Sequence, residues 1–375
     1  FARDPITSWA RETLKKNRQL RLEEFLQLAL DRTYSASPYE TFFTGGGLHA
    51  FSNFDSKDNG RTISIREATW RSTNLVFIRL MRDLVRFHQA RLPYDTEAVL
   101  ANPEEPIRRR LLHEAAQAEE KQILFQAYKD YQGLSPEAMT ARLFGAQAKS
   151  PRHMTIAFLA WNPGPHEDLA KALHAWLQSK GMTAAPDEIR RLVRAYGNPH
   201  LNLKDYGYLL GRHPLELWCV GELLRDPFAS WTYLWERSQP VRRIASSWLY
   251  QSRHRRAQDI RLRIRIEQDA FARMTPYWQR LGFPFDRLIP SYATAIGTSS
   301  DRPVALAELM GIILNDGQRR PVIRLEELRF ADNTPYHTVI KPSPLSGVQV
   351  LPPPVAPALK TVLARVVKQG TARRI

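Results

Sequence analysis

Apolar residues recur at spacings of three and four along most of this chain, which predicts a mainly helical protein. The clearest early run is Phe77, Leu80, Met81, Leu84 and Phe87, one face of a helix that comes after a second, capped one. The cap is Ser64-Ile65-Arg66-Glu67: Ser-x-x-Glu lets the hydroxyl accept from a free amide while the carboxylate reaches back, a capping box. Upstream, Thr44-Gly45-Gly46-Gly47 reads as a loop. From about Gln89 to Arg273 nearly everything reads as helix. Ser135-Pro136-Glu137 is a cap with a first-turn proline, His166 to Lys180 is amphipathic and stops at Gly181, and Ile189, Leu192, Val193 and Tyr196 repeat the spacing before Gly197. Residues 260–266 alternate arginine with apolar residues as a strand would. A longer stripe through Ile260, Ile264, Phe271, Met274, Trp278 and Leu281 favours a helix, with a kink at Pro276.

The last hundred residues change character. Ser299, Ser300 and Asp301 precede a helix from about Pro303 to Leu314, and Asn315-Asp316-Gly317 ends it. Val322 to Phe330 and Tyr336 to Ile340 flank Asp332-Asn333 as a hairpin, Pro342 to Pro357 is a proline-rich loop, and a final helix starts near Ala358. The expected class is therefore mainly α with a small antiparallel β hairpin. Three zones divide the chain: 1–88, 89–273 and 274–375.

Composition is that of a globular protein, with 43% hydrophobic and 25% charged residues over 375 positions, enough for about two to three domains. No run of about 18 apolar residues occurs. A single cysteine, Cys219, excludes a disulfide framework and a cysteine zinc site, and fits the cytoplasm and the periplasm equally. The ten histidines show no pair spaced as metal ligands beside a carboxylate, so no metal is expected. Net charge is +16, which attracts polyanions without choosing among them. Eight arginines and one acid, Asp259, fall between Val241 and Arg265; such a stretch is either a solvated helix face or a polyanion contact. Trp218, Trp231, Trp235 and Trp248 form either core or a platform for stacking on sugars. The glycines after Thr44 lack a following Lys-Ser or Lys-Thr, which argues against a phosphate loop.

Ser72-Thr73-Asn74 sits between two predicted helices, where these residue types also serve as caps. Its surroundings read Asn53-Phe54-Asp55, then Gly60-Arg61-Thr62-Ile63-Ser64-Ile65-Arg66-Glu67-Ala68, then Ser72-Thr73-Asn74. This order resembles the stretch around the Ser-x-Asn motif of class A penicillin-binding proteins, the bifunctional peptidoglycan synthases. Leu281-Gly282, Ile289-Pro290-Ser291, Ala295 to Thr298, Pro303, Leu306-Ala307 and Asn315-Asp316-Gly317 are similar to the family's residues C-terminal to that motif. Val366-Val367-Lys368-Gln369-Gly370-Thr371-Ala372 is similar to the segment shortly before Lys-Thr-Gly. The resemblance covers the first and third zones, about half the chain.

That resemblance implies part of the serine β-lactamase/penicillin-binding transpeptidase fold, with 1–88 as the helical lobe carrying Ser-x-Asn, 89–273 as a helical insertion and 274–375 as the return to the lobe. It implies serine acyl transfer from a D-Ala-D-Ala stem peptide to an amine, with no cofactor. Ser72 is then the proton-relaying hydroxyl and Asn74 the orienting amide, while Thr73 is a variable middle position whose replacement has little effect. Stem peptide and β-lactams are the implied partners of the intact enzyme, a cell-envelope protein or glycan that of the insertion, and nucleic acid is not expected. The implied location is the periplasmic face of the bacterial inner membrane. No Ser-x-x-Lys and no Lys-Thr-Gly occur in the 375 residues, so the chain is expected to be an internal fragment, inactive alone because an acyl-enzyme needs a nucleophile. The charge and the arginine stretch also permit a different reading, a basic helical module that binds nucleic acid or another protein.

Overall fold

The computed structural model describes residues 4–163, 168–323, 325–341 and 346–373. It is mainly helical, with small antiparallel strand pairs. By contacts the chain divides into two compact units, 1–105 with 263–375, and 106–262; these limits lie inside the expected 89–273 stretch.

In the first unit, α1 (Pro5–Lys16) and α2 (Leu22–Leu30) lead to β1 (Thr33–Ser35), β2 (Thr41–Thr44), β3 (Gly47–Ala50) and β4 (Thr62–Ser64). β1 pairs with β4, Tyr34 opposite Ile63, and β2 with β3, Phe43 opposite Leu48. The glycine-rich stretch is thus a hairpin turn, with Gly45 at φ 59° and Gly46 at φ 86°, the left-handed values that a type I′ turn demands of both central positions. α3 (Ile65–Arg71) starts at Ser64, whose hydroxyl accepts from the Glu67 amide. The capping box is only half made, because the Glu67 carboxylate is drawn to Arg61 and Arg71, both at 2.8 Å.

α4 (Asn74–Gln89) departs from its predicted face. It buries Leu75, Val76, Ile78, Met81 and Val85 together with Arg79 and Asp83. The charges are tolerated inside because each is hydrogen-bonded: Arg79 donates to the carbonyls of Ser35 and Ser37, and Asp83 Oδ2 accepts from Arg32 and the Tyr34 hydroxyl. α5 (Thr96–Ala101) completes this part.

The second unit is all helix among its described residues: α6 (Pro106–Tyr131), α7 (Pro136–Phe144), α8 (Pro151–Trp161), α9 (Leu169–Ser179), α10 (Pro186–Tyr196), α11 (Leu203–Leu210), α12 (Pro214–Arg225), α13 (Trp231–Arg237) and α14 (Gln239–Ser246). Of the predicted helix from His166, His166 itself lies outside the described residues. α8 is buried all round from Met154 to Trp161, the mark of a central helix. Trp161 crosses α12 at Gly221, where a Cβ would lie 2.4 Å from the indole, and its Nε1 donates to the Leu217 carbonyl. Trp218, Trp231 and Trp235 pack on this core. Trp248 meets His254 edge-on, with the Arg261 guanidinium 5.3 Å from its ring.

α15 (Arg255–Arg280) is one helix through the alternating stretch, Pro276 included. Its buried stripe is Gln258, Leu262, Ile266, Ala270, Phe271 and Met274, shifted from the predicted one, with Ile260 exposed. Back in the first unit come α16 (Pro303–Leu314), β5 (Gln318–Arg319), β6 (Leu328–Phe330), β7 (Thr338–Ile340), β8 (Val348–Gln349) and α17 (Val355–Lys368). The expected hairpin is β6 with β7, Arg329 opposite Val339, shorter than predicted. Arg324 and residues 342–345 of the predicted proline-rich loop lie outside the described residues. The prediction of a single hairpin is corrected: four two-stranded pairs are present among the described residues. A core of Met81, Val85, Ala270, Phe271, Met274, Phe283 and Leu288 joins α4 to α15, and a smaller one joins Ala36, Ile63, Ala68 and Val76.

Candidate active site

Ser72 closes α3 in the left-handed region, φ 57° and ψ 44°, and stands exposed. Its hydroxyl makes no hydrogen bond among the described residues, so it is free to exchange a proton with a ligand. Thr73 is the reverse: it is 1% exposed, and its hydroxyl donates to Asp58 Oδ2 at 2.9 Å. The middle position is therefore a structural tie between the loop and Asp58. Asn74 opens α4 and donates from Nδ2 to the Ser52 carbonyl at 3.3 Å, leaving its Oδ1 uncommitted.

Two further residues hold this loop. Asn53 accepts from the Leu75 amide at 3.0 Å and donates to the Ala36 carbonyl at 2.8 Å, fixing the start of α4. Asp58, buried, also pairs with Arg61 at 3.0 Å and Arg71 at 3.5 Å. Arg61 and Arg71 share Glu67, and the Arg71 guanidinium lies 4.6 Å from the Trp70 ring centre. An Asp-Arg-Glu-Arg network thus braces α3 from below. Asn53 and Glu67 are among the residues on which the resemblance rests; Asp58 is not. The only sequence signal for Asp58 is its spacing of three from Arg61 in a turn.

The other end of the chain arrives here. α17 packs on α2 and α3, and beyond it the Thr371 amide donates to the Trp70 carbonyl at 3.2 Å. Gly370 passes so close to α3 that a Cβ would lie 2.3 Å from the Trp70 oxygen. Between these segments runs a groove of about 870 Å³, lined by Asn53 to Ser56, Asp58, Trp70 to Thr73, Gln369 to Thr371 and Arg373. Phe54 stands at its rim, 97% exposed. Ser72 lines the groove and Asn74 does not; no lysine lines it among the described residues.

No protein family, curated protein or solved structure matches the chain.

Elsewhere, four of the eight arginines between Val241 and Arg265 face carboxylates: Arg242 faces Glu120, Arg255 Asp259, Arg261 Glu119 at 2.8 Å and Arg265 Asp269 at 2.9 Å. No group of three metal-ligating side chains forms among the described residues, and no helix of theirs is long and apolar enough to cross a membrane.

Proposed function

We propose that the groove at Ser72 is the Ser-x-Asn wall of a D,D-transpeptidase site of the penicillin-binding class. The serine nucleophile and the Lys-Thr-Gly strand would then lie in sequence outside these 375 residues. One observation carries the reading. The two stretches that resemble the family, around Ser72 and around Gly370, stand at opposite ends of the chain and converge on one groove, with Gly370 in backbone contact with α3.

The chemistry rests on these residues. A nucleophilic serine attacks the penultimate D-Ala carbonyl, its proton passes to the departing amine of the terminal D-Ala, and an amine of a second stem peptide later displaces the ester. An exposed hydroxyl with no competing bond, such as that of Ser72, relays that proton. Asn74, at the first position of α4, stands beside the groove rather than in its lining, and its open Oδ1 would accept from a lysine ammonium or a peptide N–H of a ligand that reaches past Ser72. The network under Thr73 holds both against a rigid helix junction. The alternative, a basic module for nucleic acid or another protein, draws less support, because Arg255, Arg261 and Arg265 are spent on internal ion pairs.

The test is acylation by a fluorescent β-lactam. In a polypeptide that includes both missing motifs, Ser72→Ala should slow acylation by about 10²–10⁴-fold, and the 375-residue chain alone should stay unlabelled. Covalent labelling of the chain alone, or unchanged acylation in Ser72→Ala, would overturn the reading.

A further inference from the structure

The strip where α6 meets α13 interleaves aromatic rings with lysines on the outside of the second unit. On α6, Lys121, Phe125 and Lys129 stand four apart and share one exposed face. On α13, Trp231 and Trp235 repeat that spacing and lie half-buried beside it. The helices meet ring to ring and ring to charge: Phe125 stands edge-on to Trp231 at 5.0 Å, Tyr128 is 6.0 Å from the same indole, and the Lys121 ammonium is 5.9 Å from the Trp235 ring centre. Phe125 is nonetheless 44% exposed, and the loop before α13 holds Phe228 out in solvent at 94%.

The charge of this strip is all of one sign. Between Lys121 and Lys129 the sequence has no acid. The acids that flank them are turned to arginines: Glu119 to Arg261 at 2.8 Å, Glu120 to Arg242 at 3.6 Å and Asp130 to Arg142 at 3.3 Å. Glu236, the acid of α13, lies about 100° round that helix from Trp235. Neither lysine makes an ion pair among the described residues. Their ammoniums stand 5.9 and 5.7 Å from the rings of Trp235 and Phe125, at the outer limit of a cation–π contact, so both stay open to an anion.

Geometry decides what kind of anion. Lys121 and Lys129 are about 12 Å apart along the helix, too far for one small anion to bridge, so the partner is an extended anionic surface. A nucleic-acid strand would need bare ring faces on which to stack. Trp235 already has the Arg242 guanidinium 3.8 Å from its ring centre and Trp231 stacked at 5.8 Å, and a base would have to displace them. What faces outward is Phe125, Phe228 and the two lysines: rings that gain by leaving water, and cations that gain by meeting phosphates. A bilayer interface offers both at once. We propose that the α6–α13 strip docks the second unit on an anionic lipid bilayer, with the phenyl rings entering the boundary between headgroups and acyl chains and Lys121 and Lys129 on lipid phosphates. This site is independent of the groove at Ser72 and of its chemistry.

Co-sedimentation of the full chain at physiological ionic strength tests it, with vesicles of equal parts phosphatidylglycerol and phosphatidylcholine and with vesicles of phosphatidylcholine alone. The anionic vesicles should bind the chain and the zwitterionic ones far less. A lysine near an anionic surface contributes about fivefold in affinity, so Lys121→Gln with Lys129→Gln should weaken binding about 25-fold. Arg191→Gln with Arg194→Gln removes as much charge from exposed positions of α10 and should weaken it about threefold at most, because screening confines the attraction to cations near the lipid. Phe228→Ser should weaken it about tenfold, the low end of burying a phenyl ring. Circular dichroism confirms folding, and if the lysine pair misfolds, Phe228→Ser decides. A single-stranded oligothymidylate is the competing probe. No binding to anionic vesicles, equal loss in the two double variants, full affinity in Phe228→Ser, or an oligothymidylate complex that the lysine pair abolishes while vesicle binding persists would overturn the proposal.

Discussion

Replacing Thr73 with valine keeps the volume of a buried side chain and deletes one interaction, its 2.9 Å bond to Asp58. Asp58 retains Arg61 at 3.0 Å, so the charge is not stranded, but one buried lone pair loses its donor. Hydrogen bonds to charged groups contribute about 1.5–3 kcal/mol, and a loss near 2 kcal/mol raises local opening about 30-fold. Hydrogen exchange reads this where it acts. The Thr73 amide is bonded to the Ala68 carbonyl and the Leu75 amide to Asn53 Oδ1; both should exchange about 30-fold faster in Thr73→Val. Ser72→Ala, which alters an exposed hydroxyl without a protein partner, should stay within about 0.5 kcal/mol of the parent. Equal protection of these amides in the two variants would refute the assignment of Thr73 as the tie and Ser72 as the free hydroxyl.

Two further predictions concern the same unit. Glu267 is 5% exposed, bonded by the Thr44 hydroxyl and by the Gly45 amide at 2.9 Å; burial pushes its carboxyl up to about 7 despite those bonds. A raised carboxyl binds its proton more tightly folded than unfolded, so its contribution to stability is full below about pH 4.5 and is lost as pH rises through about 7, by roughly 3 kcal/mol at most. Urea unfolding from pH 4.5 to 8 should show the parent losing stability relative to Glu267→Gln by that order, and a difference that stays flat with pH would count against it. Gly370→Ala places a methyl 2.3 Å from the Trp70 oxygen, and should detach the end of α17 from α3, seen as loss of protection at the Thr371 amide; retained protection would contradict the close approach.

The legibility of each element in the sequence tracks the length of its pattern. α15 is legible because its predicted stripe, from Ile260 to Leu281, runs about six turns and outweighs a seven-residue alternation, and α16 because a proline and an Asn-Asp-Gly bound it. Strands of two to four residues carry too few positions for an alternation, so the pairs β1–β4, β2–β3 and β5–β8 leave no signal of their own. The buried face of α4 is hidden because Arg79 and Asp83 read as solvent-facing; their partners, Ser35, Ser37, Arg32 and Tyr34, lie in segments that only the fold brings near. The helix junction at Ser72-Thr73-Asn74 is legible from residue types that end and cap helices. The burial of Thr73 is not, since it depends on Asp58 in a short turn fifteen positions away.

The most direct measurement for the central claim is β-lactam acylation in a polypeptide that carries this chain together with a Ser-x-x-Lys and a Lys-Thr-Gly motif. Acylation is predicted to fall by about 10²–10⁴-fold in Ser72→Ala while exchange at the Thr73 and Leu75 amides stays at the parental level. Acylation at the parental rate in that variant would contradict the assignment of the groove as a transpeptidase site.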